Sequence, residues 1–327
     1  MKKHAIVLLL IVLAVVAGCF AGALGLRQPT ANGDTCRLYL PDGTTRDALC
    51  DSLVANRVLH STTAFRLVAR LLQLNDVRPG SYVVEPHMRT LTLVRKLRNG
   101  QQDPIRLTIG KFRTPQDLNT YLNAKLMHSD FDVPLDSFHL ILPDTYEFYW
   151  TVTSHAFMQR MGKEYRKVES GKWKVGSGEP NTQHSPLDTF KDVIILASIV
   201  EEESNHNPEK PLIASVYLNR LRRGMPLQAD PTVKYAVGDF TLRRILHKHL
   251  AVESPFNTYL HTGLPPAPIC LPSKSSINAV LNAPKTDYIY FCASDQMDGT
   301  HRFASTLAQH NANATAFHRA LNARGIK

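Results

Sequence analysis

FKDVIILASIVEEESNHNP, residues 190–208, decides how the rest of this chain is read. Seven aliphatic side chains fall between Val193 and Val200, an acidic triplet follows, and Pro208 stops the run. A helix that is apolar nearly all round is a buried one. Its three acids are therefore delivered to the edge of a hydrophobic core, where a carboxylic acid can keep its proton near neutral pH. At about 100° per residue, Glu203 lies over Val200, Ile199 and Leu196, near the middle of the apolar arc. Glu202 lies over Ser198 and Lys191, the most polar line on the helix, and is expected in solvent. Glu201 follows Ala197 and Ile194, where a structural salt bridge would be unremarkable. The competing reading is a charged last turn with no function, although three acids at a helix C-terminus oppose its dipole.

With 327 residues the chain can hold two ordinary domains. A hydrophobic content of 43% with 20% charged residues is that of a globular protein. The net charge of +10 favours an anionic partner or surface, but the basic residues are scattered and no nucleic-acid motif occurs, so nucleic-acid binding is set aside. Residues 1–4 are short and basic, and an apolar run over 5–26 is long enough to cross a bilayer as a helix. That order predicts a cytoplasmic N-terminus, a single-pass anchor and an exported body. Val16-Ala17-Gly18-Cys19 also resembles a bacterial lipoprotein cleavage site, but the apolar run continues past Cys19, which favours an uncleaved anchor. In an exported body Cys36 with Cys50 and Cys270 with Cys292 could form disulfides, and buried free thiols are the alternative. No cysteine spacing matches a zinc or redox motif, so no metal or cofactor is expected.

Residues 27–34 read as a linker. Over 35–103 the order is strand, helix, helix, strand: alternation at 37–40, helices from Thr45 and over 61–72, and a second strand at 81–84 after Arg78-Pro79-Gly80, with Thr90 capping a further short helix. By pattern alone this β-α-α-β module is a binding unit or a spacer. Residues 104–327 read as one mixed α+β domain. A strand at 105–109 precedes a helix started by Thr114-Pro115, and the aromatic run 143–150 suits either a sugar groove or a core corner. Residues 169–186 suggest a mobile loop. Asp230 before Pro231 is well placed to cap a helix, or to touch a substrate. Proline-stiffened loops at 254–259 and 262–269 are good places for binding groups. Ser273 caps a helix, 287–293 forms a strand and 306–321 a closing helix.

The chain has no Gly-Xaa-Ser-Xaa-Gly elbow, HExxH, P-loop or dinucleotide fingerprint. What is left is carboxylate chemistry. One glutamic acid in an apolar setting can protonate a glycosidic oxygen, and an ordinary glycosidase adds a second carboxylate. Asp144, Asp230 and Glu253 are the candidates for that second group.

Glu203-Ser204 resembles the Glu-Ser signature of lytic transglycosylases. More specifically, LASIVEEES (196–204), ASVYLNRLRRGMPLQADPTVKYA (214–236), SPFNTYLHTGLPPAPI (254–269) and YIYFCAS with HRF (288–294, 301–303) resemble the MltG (YceG-like) endolytic murein transglycosylase family. PDTYEF (143–148) and RPGSY (78–82) are similar to that family's, the latter in its LysM-like region. The resemblance implies a LysM-like module at 35–103 and a catalytic domain at 104–327, with Glu203 as sole acid/base. It implies that Gln228, Asp230, Asn257, Thr258 and Tyr259 lie along a glycan cleft; Glu201 and Ser204, which flank Glu203, are candidate substrate contacts as well. Ala267 departs from the family's usual glycine between the prolines.

The implied reaction cleaves the bond between N-acetylmuramic acid and N-acetylglucosamine within a strand and leaves a 1,6-anhydro end. The implied setting is the membrane, where the enzyme limits the length of nascent peptidoglycan strands beside the synthases that polymerise them. Two other readings stay open: a two-carboxylate muramidase pairing Glu203 with Asp230 or Glu253, and a non-catalytic wall-binding scaffold.

Overall fold

The structure is a computed structural model that describes residues 6–7, 10–16, 34–171, 186–242 and 244–325. The fold is mixed α+β, and among the described residues its sheets are two-stranded ribbons. By contacts the chain divides into two compact units. One takes in the chain up to Leu107 with Lys125–Ser129 and Tyr146–Thr153; the other is Thr108–Ala124, Asp130–Thr145 and everything from Ser154 on.

In the smaller unit β1 (Cys36–Leu40) pairs antiparallel with β2 (Gly80–Val84), Leu38 opposite Tyr82. Helices α1 (Arg46–Ala55), α2 (Thr63–Leu71) and α3 (Thr90–Asn99) complete it. Thr45 caps α1 by accepting from the Ala48 amide at 3.2 Å. Thr90 does not cap α3 as expected: it is the helix's first residue, and Arg89 is the cap without a side-chain bond. The core of this unit is Leu38, Leu49, Leu53, Phe65, Tyr82, Val94 and Leu97.

The larger unit is built on the opening stretch, which forms α6 (Phe190–Glu203). Before it in the chain come β3 (Ile105–Ile109) and its partner β4 (Asp144–Phe148), each of which the unit boundary divides, with α4 (Pro115–Lys125) and α5 (Ser154–Glu169). Every residue of α6 from Val193 to Val200 is buried. Packing explains the choice of helix: the run is rich in β-branched residues, which are weak helix formers alone. Its start is fixed by a reciprocal cap in which Thr189 Oγ1 accepts from the Asp192 amide at 3.2 Å and Asp192 Oδ2 accepts from the Thr189 amide at 2.8 Å. Thr189→Ala is expected to cost about 1 kcal/mol, seen as a thermal midpoint lower by a few degrees.

Against α6 pack α7 (Lys210–Arg222), α8 (Asp230–Val237) and α10 (Lys274–Leu281); α9 (His247–Leu250) is one turn. The ribbon of β5 (Tyr290–Ala293) and β6 (His301–Ala304) and helix α11 (Leu307–Ala323) close the chain. Ser198, buried inside α6, donates to the Ile195 carbonyl at 2.7 Å and accepts from the Ile269 amide at 3.0 Å. The proline-rich loop is thereby tied to the helix.

Three expectations change here. Cys36, Cys50, Cys270 and Cys292 are all free thiols, so neither candidate disulfide is formed; Cys270 lies fully buried, its thiol 3.5 Å from the Ser198 carbonyl. Asp230 is the first helical residue of α8 and does not cap it; Ala229 takes the cap position. Residues 143–150 provide a strand, not only a corner. Among the described residues no helix is long and apolar enough to cross a membrane. Most of the 5–26 run, including Cys19, and most of the 169–186 segment lie outside the described residues.

Candidate active site

The last turn of α6 separates three chemically identical acids into two whose surroundings favour the anion and one whose burial favours the neutral acid. Glu201 Oε2 accepts from Ser273 Oγ and Ser276 Oγ, each at 2.5 Å, and from Lys210 Nζ at 3.1 Å. Burial works against its charge, but these donors outweigh that cost and hold its pKa below the usual glutamate value. Glu202 is not in solvent. Lys111 Nζ lies 2.8 Å from Oε1 and Arg113 Nη2 lies 3.1 Å from Oε2. Burial again opposes the charge, and the two cations overcome it. Helix geometry placed Glu202 on a polar line, and two basic residues from the segment between β3 and α4 cover that line.

Among the described residues Glu203 makes no salt bridge. Its Oε1 accepts a 2.5 Å hydrogen bond from the Tyr217 hydroxyl. Burial pushes its carboxyl up to about 7; the Tyr217 bond pulls it down, Asp230 pushes it further up, and Lys234 and Arg220 pull it down. Tyr217 itself is 1% exposed on α7, its ring edge-on to Phe291 of β5 at 5.8 Å. Three residues later on the same helix, the buried Arg220 donates from Nε to the Ile289 carbonyl at 2.7 Å and from Nη1 to the Leu227 carbonyl at 2.9 Å and to Gln228 Oε1 at 3.2 Å. Its guanidinium lies 5.4 Å from the ring centroid of Tyr290.

The remaining predicted residues divide by accessibility. Gln228 and Asp230 are exposed, and Tyr259 is half-buried. The Tyr259 hydroxyl donates to Asp230 Oδ1 at 2.7 Å, which joins the 254–259 loop to the start of α8. Gln228 sits at φ 51°, a left-handed conformation that costs energy for a residue with a Cβ, and the Arg220 bond pins it there. Asn257 and Thr258 are buried, with their polar atoms engaged inside the protein. Asn257 Nδ2 donates to the Leu250 and Val252 carbonyls, both at 2.9 Å, while Thr258 Oγ1 accepts from the Ala229 amide at 3.0 Å. They shape the loop from beneath. Ser204 is buried too, and its Oγ accepts from the His206 amide at 3.0 Å. Asp144 is tied to Lys274 at 2.7 Å, and Glu253 is exposed on its loop.

Tyr217, Arg220, Lys210, Ser273 and Ser276 surround the acids without having been singled out as site residues. Tyr217 carried one usable signal: a tyrosine on the apolar face of a core helix needs a partner for its hydroxyl. The serines and Lys210 carried none, because they meet Glu201 only through the tertiary fold.

The site holds one buried carboxyl raised to about 7 beside two that are held as anions, with Asp230 of α8 acting on the raised one. The chain belongs to the YceG-like family, whose sequence profile matches residues 38–316. It is similar to the endolytic murein transglycosylase of Bacillus subtilis, 29% identical over 91% of this chain and 89% of that one. The endolytic murein transglycosylase of Streptococcus pneumoniae is 24% identical over 84% of this chain and 57% of that one. A solved structure of a yceG-like protein from Listeria monocytogenes is 26% identical and covers 85% of this chain and 99% of that one, at a TM-score of 0.49.

Proposed function

We propose that this chain is an endolytic murein transglycosylase that works with one catalytic carboxyl, Glu203. Family membership and the two named relatives support the activity. The observation that carries the assignment of the acid is the contrast within one helical turn: Glu201 and Glu202 are held as anions while Glu203 is pushed up to about 7. A general acid is most useful when its pKa lies near the working pH.

The reaction proceeds within a glycan strand. Protonated Glu203 gives its proton to the oxygen linking N-acetylmuramic acid to N-acetylglucosamine, and the bond from that oxygen to the anomeric carbon breaks with its electron pair going to oxygen. The 6-hydroxyl of the same muramic residue then bonds to the anomeric carbon, and its proton passes to the Glu203 carboxylate. The product carries a 1,6-anhydro end, and the acid is regenerated. An internal nucleophile held in place needs no second carboxylate, because its effective concentration far exceeds what a free hydroxyl would supply. Exposed Gln228 and Asp230 and the half-buried Tyr259 contact the glycan, while Asn257, Thr258 and Ser204 hold the backbone that presents them.

The proposal extends to the chain's setting. Residues 5–26 anchor the protein in the membrane, 27–34 link it to a LysM-like module at 35–103, and 104–327 forms the catalytic domain outside the cytoplasm, acting on nascent strands beside their synthases. Mass spectrometry of glycan fragments released by the purified protein is expected to find 1,6-anhydromuramic ends. Reducing muramic ends would transfer the assignment to a two-carboxylate muramidase with Asp230 or Glu253 as partner, and no cleavage at all would favour a scaffold. The rate should fall as pH rises through about 7, as Glu203 loses the proton it must donate.

A further inference from the structure

The hydrogen bond between Tyr217 and Glu203 bears on which atom of the acid does the work. Tyr217 is 1% exposed, and among the described residues its hydroxyl has one acceptor, Glu203 Oε1 at 2.5 Å. A phenolic O–H left without an acceptor in a core is costly. The hydroxyl proton therefore stays directed at Oε1 whether Glu203 is neutral or charged. Burial also pushes the phenol well above its ordinary value, so it remains a donor across the working range. An oxygen that accepts in both states is the carbonyl-type oxygen of the neutral acid, and the acid's own proton sits on the other one.

We infer that Tyr217 is a positioning residue which, by occupying Oε1 of Glu203, routes both proton transfers through Oε2. Resting on the transglycosylase reading above, the cycle is then closed on one atom. The proton leaves Oε2 for the glycosidic oxygen as the bond to the anomeric carbon breaks, and Oε2 takes the proton of the 6-hydroxyl as the new bond forms. The carboxyl need not rotate between the two half-reactions. The other charged or titratable groups that act on Glu203 are Arg220 on α7, Asp230 and Lys234 on α8, and, through Asp230, the hydroxyl of Tyr259. Among the described residues none of these is hydrogen-bonded to Glu203, whereas Tyr217 is.

Tyr217→Phe removes one oxygen and keeps the ring packed on Phe291. The expected result has three parts: kcat falls about tenfold, KM stays within about twofold, and the high-pH limb of the rate profile moves up by about one pH unit, because the carboxylate loses a hydrogen bond that favoured it. A high-pH limb that stays where it is overturns the inference. A second measurement on the unmodified sequence needs no activity and no folded variant at Tyr217. With tyrosine labelled by 13C at Cζ, one resonance should titrate with a midpoint near 7, matching Glu203, and lose that titration in Glu203→Gln. If no tyrosine resonance follows a group of that pKa, the contact does not exist in solution and the inference fails. Absence of anhydro ends from the wild-type protein would instead sink the transglycosylase reading, and the tyrosine titration would be untouched by it.

Discussion

Glu203→Gln is expected to lower glycan cleavage by about 10²–10⁴-fold, the usual contribution of a positioned general acid, while leaving the fold intact. The glutamine amide keeps an oxygen for the Tyr217 hydroxyl, so the local packing has no reason to change. The same variant should be more stable than the wild type at alkaline pH. Below the ordinary glutamate range both folded and unfolded chains hold the proton, and the two proteins differ little. As pH rises towards 7 the unfolded wild type ionises and the folded form resists, so wild-type stability falls, reaching its full loss above about 7. Allowing for the part of the side chain that meets solvent, the gap at pH 8.5 is about 2 kcal/mol. Chemical denaturation of both proteins at pH 5 and pH 8.5 measures it. Retained cleavage by a folded Glu203→Gln protein would remove Glu203 from the mechanism, and a gap that does not depend on pH would show that Glu203 is not held neutral.

The second large effect concerns Glu201, which is structural by every contact it makes. The Lys210 side chain is 4% exposed, and Glu201 is its carboxylate partner at 3.1 Å. Glu201→Ala strands that ammonium in the core together with the hydroxyl of Ser276, while Ser273 keeps its bond to Ser275. Breaking a buried pair on one side costs about 3–5 kcal/mol, a thermal midpoint lower by about 10 °C for a unit of this size. Adding Lys210→Met should recover most of the loss, since an apolar replacement of both partners is often neutral. A single variant within about 1 kcal/mol of wild type would mean that Lys210 reaches water after all. Activity should fall with stability, because the turn held by Glu201 is the turn that carries Glu203.

The elements were legible where a local signal was strong. Thr45, Pro115, Ser273 and Thr306 mark helix starts that the structure places within a residue or two. The inward direction of Glu203 followed from 3.6-residue periodicity alone. Helix α5 was missed because its sequence mixes Lys, Arg and Gln with scattered apolar residues, so its buried face of Phe157, Met161 and Tyr165 does not stand out. Glu202 was misjudged for a different reason. Periodicity tells which side of a helix is polar, but not whether cations from elsewhere, here Lys111 and Arg113, will cover that side. Asn257 and Thr258 show the same limit: a polar residue on a stiff loop looks like a ligand contact until the loop's own carbonyls and amides are seen to need it.

The ties around the last turn of α6 also set an order of assembly. Glu201 waits for serines 72 and 75 residues further on, and Arg220 for a carbonyl 69 residues away. Contacts of such sequence separation form late, after loop closure has been paid for by other packing. A chain emerging N-terminus first therefore has the residues of α6 in hand well before it can fix the acids at its end. The proton-carrying site comes into being only with the last third of the polypeptide in place, so a growing or truncated chain of a wall-cutting protein would lack a working blade.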